Sequence, residues 1–424
     1  MRRSIAVVGA GWAGLAAAIE CSRRGHGVTL FEMAARPGGR ARSVSTTTGT
    51  FDNGQHICIG AYVETLRLLR SLGVDERLAF VRLPLTLVDV HGRGLRLQGK
   101  RPAPAFARAV LGRRGWTLGD RAALLITAAG WWRRGFRCDP SWTVARLGAH
   151  LPAPVRDGLV DPLCVAALNT PAVEASALVF LRVLNDALAS GPGSADLLLP
   201  RVGLSELLPQ PALAALQAAG ATFLHSTRVT SIEADGRGWR VGGMRFDRVV
   251  LAASNVETAR LAQQHDAGWA VRALALQHRP IVTVYLHAAG VRLPDPMLLL
   301  HSDAERPAQF VFDHGQLGGT AGLLAFVVSG AQHWVERGID ATGQAVLAQA
   351  TEALASFVDG PLTLQQTIVE KRATFACTPA LDRPTGHIAA GLVAAGDYLD
   401  GPYPSTLEGA VRSGLTAAAT VCEA

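Results

Sequence analysis

The sequence predicts an α/β protein in which a doubly wound, Rossmann-like dinucleotide-binding domain carries an inserted α+β substrate domain. Three observations support this fold class. A short apolar strand runs into a glycine turn near the N-terminus, a second strand ends in an acid, and similar apolar strands recur in the middle and near the end of the chain. The length of 424 residues allows two or three structural units.

The first β-α-β unit occupies the N-terminus. Ser4–Val8 is an apolar run that predicts a buried strand, and Val28–Phe31 predicts a second one. Between them, Trp12–Arg24 has the small residues expected of a helix that packs on a sheet. The order strand, helix, strand is the opening of a doubly wound sheet.

A glycine motif joins the first strand to the first helix. Gly9, Gly11 and Gly14 have the G-x-G-x-x-G spacing. The first glycine permits a tight turn, the second lets a pyrophosphate approach the backbone, and the third allows close packing of helix on strand. Glu32 ends the second strand, where it can accept hydrogen bonds from ribose hydroxyls and would repel a 2′-phosphate, which disfavours NADP. A glycine turn without a ligand is the alternative.

We expect the chain to leave the cofactor domain and return to it twice. Residues 1–61, 210–260 and 386–424 are assigned to the cofactor domain, residues 62–209 to a helical, membrane-facing part of the substrate domain, and residues 261–385 to its sheet. The later elements are expected at Ser226–Glu233, Trp239–Val241, Arg248–Leu251, Ile281–His287 and Gly391–Ala395 as strands, and at Ser405–Cys422 as a helix.

Positive charge is concentrated in one segment. The chain has 41 basic and 34 acidic residues, but between Arg93 and Arg137 eleven basic residues accompany one acid, Asp120. A nucleic-acid binder would spread its charge over a face or repeat it in modules, so nucleic acid is not an expected partner. The six cysteines form no C-x-x-C pair, so we expect neither a disulfide framework nor a metal site, and a reducing cytoplasm.

The basic segment also contains an apolar run, Ala122–Ala129. Its aromatic residues are Trp116, Trp131, Trp132 and Phe136. Arginines beside tryptophans and leucines suit a segment that lies on an anionic lipid surface, which predicts peripheral association with the inner face of a membrane. An ordinary arginine-rich outer face is the alternative. No run reaches the roughly 20 apolar residues that span a bilayer.

A second glycine turn, Gly38-Gly39-Arg40, follows Glu32 after five residues and can wrap the same pyrophosphate from its other side. This arrangement resembles the flavin-binding end of the amine oxidase and phytoene desaturase superfamily, and it implies FAD. The resemblance further implies adenine contacts on a strand around Val229 and contacts with the flavin's pyrimidine edge at the start of the last helix. The residues expected to hold FAD are Gly9, Gly11, Trp12, Ala13, Gly14, Glu32, Met33, Gly38, Gly39, Arg40, Asn53, Gly54, Gln55, His56, Val229, Gly396, Asp397, Thr406 and Leu407.

Four longer passages, Phe51–His56, Pro162–Pro171, Asp196–Arg201 and Gly396–Ala410, narrow the resemblance. Together with the glycine motif they resemble the hydroxysqualene dehydroxylases, squalene-associated, desaturase-like flavoproteins of hopanoid synthesis, over essentially the whole chain. This resemblance implies that hydroxysqualene and reduced FAD give squalene, water and oxidised FAD. An allylic hydroxyl, once protonated, leaves as water, and the flavin delivers a hydride to the cation. The implied substrate is a nearly apolar isoprenoid that arrives from a membrane.

That reaction needs a proton donor to the leaving hydroxyl. His56 is the first candidate, because its loop in the relatives lies near the flavin and imidazole titrates near neutral pH. A structural histidine beside the cofactor is the alternative. Asp52, Tyr403 and Glu408 are the other candidate donors.

Asn169 and its neighbour Leu168 are expected to contact the substrate, although Asn169 could instead cap the end of a helix. Three other functions remain open. A carotenoid or phytoene-type desaturase shares the fold, FAD and an apolar substrate. An amine oxidase would use a flavin-facing lysine, yet no lysine lies between Arg101 and Glu370. A non-catalytic membrane scaffold would keep FAD structurally. The electron donor to FAD is unknown, since no second nucleotide motif has the right context.

Overall fold

The computed structural model describes residues 2–423. The strands β1 to β21 are, in chain order, Ser4–Val8, Gly27–Phe31, Ser43–Thr46, Gly49–Asp52, Cys58–Ile59, Phe80–Leu83, Thr86–Val88, Gly94–Arg96, Leu197–Pro200, Thr222–Leu224, Ile232–Asp235, Gly238–Val241, Met244–Phe246, Arg248–Leu251, His278–His287, Met297–Leu299, Phe310–Asp313, Leu323–Val328, Thr363–Phe375, His387–Ala389 and Leu392–Ala394. The helices α1 to α16 are Trp12–Arg23, Val63–Ser71, Glu76–Ala79, Pro102–Leu111, Leu118–Arg133, Val144–Leu147, Ala153–Val155, Asp161–Leu168, Ala177–Ala189, Leu204–Leu207, Pro209–Ala218, Asn255–Ala262, Ala267–Leu274, Gln332–Arg337, Ile339–Ala353 and Leu407–Glu423. A π-helical turn, Arg156–Val160, joins α7 to α8.

A six-stranded sheet in the order β10-β2-β1-β14-β21-β20 forms the cofactor side of the molecule. Its strands are parallel except for β20, which pairs antiparallel with β21. Val8 lies beside both Phe31 and Leu251 in the register of the sheet. The carboxyl ends of β1, β2 and β14 therefore meet at one edge, where ligands of doubly wound sheets bind.

Helices α1 and α16 pack closely against each other on this sheet. A Cβ atom on Gly414 would lie 2.1 Å from the carbonyl oxygen of Ala13, so only glycine allows this approach. The predicted α/β fold, the first β-α-β unit and the last helix are confirmed. The last helix begins at Leu407 rather than Ser405.

A second sheet, antiparallel and five-stranded in the order β16-β17-β18-β15-β19, lies on the other side of the cavity described below. Helices α14 and α15 contribute to the hydrophobic core behind it. Helices α4, α5, α8 and α9 share a hydrophobic core with its inner face and cover the cavity. Among the described residues, no helix is long and apolar enough to cross a membrane.

The strand expected at Ser226–Glu233 is wrong over most of its length, because β11 begins only at Ile232. Ser226 has a φ of +51°, which breaks an extended strand. Its amide and that of Thr227 donate to the carbonyl oxygens of Ala34 and Glu32, so this segment follows the end of β2 as a loop. The division of the chain into five segments stays a prediction.

Candidate functional site

A cavity of about 1090 Å³ runs from the carboxyl edge of the six-stranded sheet to the helices that cover the second sheet. Ligand pockets usually measure roughly 300–1,000 Å³, so this cavity has room for a large ligand or for two ligands in contact. Glycine turns and charged side chains line one end, and aliphatic and aromatic side chains line the other. The polar end and the apolar end open into each other and form one continuous cavity.

The first glycine turn brings two backbone segments together at the polar end. Gly9 has a φ of +107°, and a Cβ atom there would lie 2.5 Å from the carbonyl oxygen of Ala252. A Cβ atom on Gly14 would lie 1.9 Å from the carbonyl oxygen of Gly9, which holds α1 against β1. Within the described chain, α1 has neither a side-chain cap nor an acid in its first turn. Its first amides are therefore free to bind an anion.

The second glycine turn packs directly on the first. The amide of Gly38 donates to the carbonyl oxygen of Ala10 at 2.8 Å, and Gly38 forms a parallel bridge with Gly11. Gly39 has a φ of +60°, and a Cβ atom on it would lie 3.2 Å from the Cα atom of Gly11. The two turns thus form one glycine cradle without side chains, open to the cavity.

Glu32 lies beside the first glycine turn of this cradle. Its carboxylate accepts hydrogen bonds from the amides of Ala10 at 2.7 Å and Ala34 at 2.8 Å, which hold it against the first glycine turn. Val229 lines the cavity nearby, but in the described structure it lies in a loop, so its placement on a strand is wrong. Its carbonyl oxygen accepts from the Arg260 guanidinium at 2.8 Å.

Arg40 carries a fixed positive charge into the middle of the cavity wall. Its guanidinium forms an ion pair with Asp397 and donates to the carbonyl oxygens of Arg372 and Ala373 in β19. The neighbouring Asp397 carboxylate raises the pKa of Arg40. A guanidinium held by three partners keeps its position and can offer its remaining N–H groups to a phosphate.

These residues fit FAD. A glycine cradle with free helix amides suits a pyrophosphate, the acid suits ribose hydroxyls, and the held arginine supplies positive charge. Within residues 2–423, every residue expected to hold FAD lines the cavity except Gly14, whose role is the packing of helix on strand. Thr406 accepts from the amide of Gly409 and so caps α16, which leaves the amides of Leu407 and Glu408 without an intrahelical acceptor. The contacts with FAD itself stay predictions.

The loop from Asn53 to His56 is tied to both sheets. The amide group of Asn53 donates to the carbonyl oxygen of Arg40 and to the Glu370 carboxylate. His56 Nδ1 lies 3.1 Å from the carbonyl oxygen of Gly54, and because a carbonyl only accepts, this nitrogen carries the proton. Burial lowers the pKa of His56. His56 therefore lines the cavity as a neutral imidazole.

Two of the candidate proton donors, Asp52 and Glu408, are not among the described residues that line the cavity. Asp52 accepts hydrogen bonds from the Ser43 hydroxyl and the Leu204 amide, and burial raises its pKa. Glu408 accepts from the amides of Glu64 and Thr65 at the start of α2. Both carboxylates hold backbone segments together, which corrects their interpretation as proton donors.

Tyr403 does line the cavity, inside a charged cluster that the sequence analysis missed. The guanidinium of Arg182 lies 5.5 Å from the centroid of its ring and that of Arg412 lies 4.9 Å away. Arg182 forms an ion pair of 2.8 Å with the buried Asp186 on α9, and both residues line the cavity. Burial and the Asp186 carboxylate raise the pKa of Tyr403. The signal was available: an Arg and an Asp four residues apart interrupt an apolar helix.

Asn169 caps the C-terminal end of α8, which was the alternative to its predicted contact with the substrate. It ends α8 with a φ of +48°. Its amide group donates to the Thr374 hydroxyl at 3.0 Å and its carbonyl oxygen accepts from the Gly330 amide at 2.6 Å. Because these groups already have partners, the prediction that this amide binds substrate is not supported, although Asn169 and Leu168 both line the cavity.

The rest of the cavity wall is apolar and includes Leu85, Leu87, Leu95, Leu97, Phe106, Leu124, Trp131, Phe136, Leu163, Phe180, Val183, Met297, Phe310 and Phe312. These side chains come from the second sheet, from the hairpin of β7 and β8, and from the helices that cover the second sheet and the segments beside them, so the apolar end suits a long hydrocarbon chain. Lys371 lies just beyond the interval without lysines and lines the cavity beside Glu370, but it is exposed and belongs to the polar end.

Comparison with known proteins agrees with this geometry. The family described as flavin containing amine oxidoreductase matches residues 12–422. A protein named hydroxysqualene dehydroxylase from Rhodopseudomonas palustris is 28% identical, over 100% of this chain and 99% of its own length. One of the same name from Sinorhizobium fredii is 27% identical, over 99% and 98%. An oxidoreductase structure from Methanosarcina mazei has a TM-score of 0.72 at 16% identity, covering 98% of this chain and 100% of its own.

Proposed function

The chain belongs to the family of flavin-containing amine oxidoreductases, and from this premise we propose that it converts hydroxysqualene to squalene by reductive dehydroxylation. It is an FAD-dependent oxidoreductase. The observation that carries the proposal is the continuity of the cavity, which joins the glycine cradle to a long apolar chamber. Similarity over the full chain to two proteins named hydroxysqualene dehydroxylase supports the choice of substrate.

The protein holds cofactor and substrate in one cavity, so that the flavin end meets the carbon that bears the hydroxyl. When bound in its reduced form, FAD supplies the hydride that replaces the hydroxyl group. The hydroxyl leaves with a proton as water, so hydroxysqualene, a hydride and a proton give squalene and water. Arg40, Asp397 and the two glycine turns would hold the cofactor, and the apolar wall would orient the hydrocarbon.

We propose Tyr403 as the donor of that proton. A donor must carry its proton at neutral pH. The raised pKa of Tyr403 keeps its phenol protonated, whereas the lowered pKa of His56 leaves a neutral imidazole with a lone pair on Nε2. The positive guanidinium groups of Arg182 and Arg412, which lie over the tyrosine ring, favour the phenolate that remains after transfer.

The apolar chamber protects the cation that remains on the substrate. Water in contact with an allylic cation would return it to the alcohol, and a wall of aliphatic and aromatic side chains excludes water. The faces of Phe180, Phe310 and Phe312, which line the chamber, are electron-rich surfaces that attract a cation. Chemistry of this kind needs few polar groups at the reacting carbon, and their number in the chamber is small.

The proposed substrate also implies where the protein works. A thirty-carbon, nearly apolar alcohol dissolves in bilayers rather than in water. We therefore propose that the protein acts in the cytoplasm at the inner face of a membrane and takes its substrate from the lipid. The surface that would meet the lipid is argued in the next section.

An anaerobic turnover assay tests the proposal. The holoprotein, reduced with dithionite, is mixed with hydroxysqualene, while squalene is measured by gas chromatography and the flavin by its visible absorbance. We expect squalene to form in a one-to-one ratio with reoxidised flavin. Squalene added in place of hydroxysqualene is the control, and it should leave the flavin reduced.

Three outcomes would contradict the proposal. Reoxidation of the flavin without formation of squalene would show that hydroxysqualene is not converted to squalene. Bleaching of the oxidised flavin by a carotenoid precursor, with formation of a new double bond, would instead assign the protein to the desaturases. Oxidation of an amine would favour the amine oxidase alternative.

A further inference from the structure

Large apolar side chains stand in solvent on helices α4 and α5. The exposed fractions are 56% for Leu111, 79% for Leu118, 72% for Ile126 and 49% for Trp132. Leu118, Ile126 and Trp132 occupy one face of α5, since their positions along the helix fall within about a third of its circumference. An isolated exposed leucine is ordinary, but several on one helix face indicate a contact surface.

The buried face of α5 lines the cavity, and the cavity lining extends round the helix to Trp132. Leu124, Ala128 and Trp131 project into the cavity wall, and Leu124 and Trp131 are buried. The helix therefore separates the apolar chamber from solvent, and its exposed face meets the cavity along one edge. Phe106 on α4 and Phe136 after α5 also line the cavity, so the wall extends through both helices.

The arginines around this wall lack partners of opposite charge. We call residues 101–137 the α4–α5 surface. Among residues 2–423, none of its eight arginines has a carboxylate within the 4.0 Å of an ion pair. Its one acid, Asp120, forms a capping box with Thr117 at the start of α5. Within the described residues, the surface thus presents arginines that form no ion pair.

We infer that the α4–α5 surface docks on an anionic lipid bilayer, with α5 lying in the interface between the lipid and the cavity. Only the biological role of this docking, the entry of an apolar substrate beside α5, rests on the proposed function. Exposed leucine, isoleucine and tryptophan would enter the acyl boundary while arginines reach the phosphate groups. A second copy of the chain would bring the same uncompensated arginines, so like-charge repulsion disfavours self-association through this surface.

Vesicle binding of the holoprotein, without substrate, tests the inference. Co-sedimentation is measured with vesicles of phosphatidylglycerol and phosphatidylcholine, and with phosphatidylcholine alone. We expect binding to the anionic vesicles at least about tenfold stronger at low salt, with the difference decreasing as salt is added.

Matched variants locate the contact. The double substitution Leu118→Ser with Ile126→Ser should weaken binding to anionic vesicles about tenfold or more, because two side chains lose their transfer into lipid. The control is Val271→Ser with Leu274→Ser, two exposed apolar residues of α13, which should bind as the unchanged protein does. Arg133→Gln with Arg134→Gln should reduce the salt-dependent part of binding, and Arg237→Gln with Arg245→Gln should not. Flavin absorbance reports folding of each variant.

Four outcomes would overturn the inference. Equal affinity for anionic and neutral vesicles would show that charge does not drive binding. An equal loss of vesicle binding in the α13 control variant would show that the α4–α5 surface is not the site of contact. A dimer that Ile126→Ser converts to a monomer, without vesicle binding, would assign the surface to a second copy. Vesicle binding without squalene formation would contradict only the proposed function, and turnover of detergent-dispersed substrate without vesicle binding would contradict only this inference.

Discussion

The cofactor end of the cavity and the α4–α5 surface use charged residues in opposite ways. At the cofactor end, Arg40 pairs with Asp397, Arg412 pairs with Glu408, and Glu32 accepts two backbone amides. On the α4–α5 surface, arginines without ion pairs surround exposed apolar side chains. Charged side chains that have partners within the chain hold the geometry of a site. Arginines without such partners indicate a binding partner outside the protein. The following predictions test this distinction, beginning with the largest expected effect.

Gly9→Ala would break the geometry of the cofactor end. Its φ of +107° alone costs an alanine about 1–3 kcal/mol, and the new Cβ atom would lie 2.5 Å from the carbonyl oxygen of Ala252. We expect the purified protein to lose its flavin absorbance and to melt at lower temperature. Gly360→Ala is the control, because a Cβ atom there meets no heavy atom within 4 Å. A Gly9→Ala protein that keeps its flavin colour and its normal stability would contradict the role of Gly9 in the glycine cradle.

Tyr403→Phe tests whether the charged cluster at the cofactor end serves the reaction rather than cofactor binding. The substitution keeps the ring beside Arg182 and Arg412 but removes the phenolic proton. We expect kcat to fall by about 10²–10⁴-fold with the flavin still bound. His56→Ala serves as the comparison, and its turnover should fall by less than about tenfold, since a neutral imidazole is not the donor. The reverse order of effects would return the donor role to His56.

The pH dependence of turnover distinguishes the same two groups. Because burial and Asp186 hold the pKa of Tyr403 above its ordinary value, kcat should be constant from about pH 7 to about pH 9 and fall at higher pH. If His56 donated the proton, its lowered pKa would make kcat rise as the pH falls below about 6.5.

Asp186→Asn tests whether this pH profile reports Tyr403. Removal of the carboxylate removes a cause that raises the pKa of Tyr403, so the loss of activity at high pH should begin at a lower pH. The exposed Asp359→Asn is the matched control and should leave the profile unchanged. A profile that does not move with Asp186→Asn would separate Asp186 from the proton transfer.

Asn169→Ala should have the smallest effect, because its hydrogen bonds are structural. Loss of these bonds to Thr374 and Gly330 should lower the free energy of unfolding by about 1–3 kcal/mol, measured in urea. The KM for hydroxysqualene should stay the same within error. Asn169→Gly, which tolerates the φ of +48°, separates backbone strain from lost bonds. A raised KM in both variants would restore Asn169 as a substrate contact.

Much of the cofactor end could be predicted from the sequence. Gly9, Gly11 and Gly14 impose a tight turn and a close approach of backbone segments, and these requirements act over a few residues. Apolar runs such as Ser4–Val8 likewise predict buried strands locally. For that reason the structure confirms the first β-α-β unit, and the glycine turns singled out by their spacing line the cavity.

The proton donor and the charged cluster could not be predicted in the same way. Asp52 stands next to the motif that suggested it, yet folding directs its carboxylate to Ser43 and Leu204, away from the cavity. Asp186 and Tyr403 are far apart in sequence and meet only because α9 packs near the start of α16. Their pKa values depend on burial, which no local pattern reports.

The sequence by itself therefore determined the fold class, the cofactor motif and the segment in which arginines are concentrated, because residue type and spacing decide backbone turns, burial periodicity and local charge. The tertiary structure alone decided which candidate acids reach the cavity, which side chains Tyr403 meets, which arginines form ion pairs, and that α5 borders both the cavity and solvent. Those outcomes depend on long-range packing, in which a side chain's partners come from elements remote in sequence.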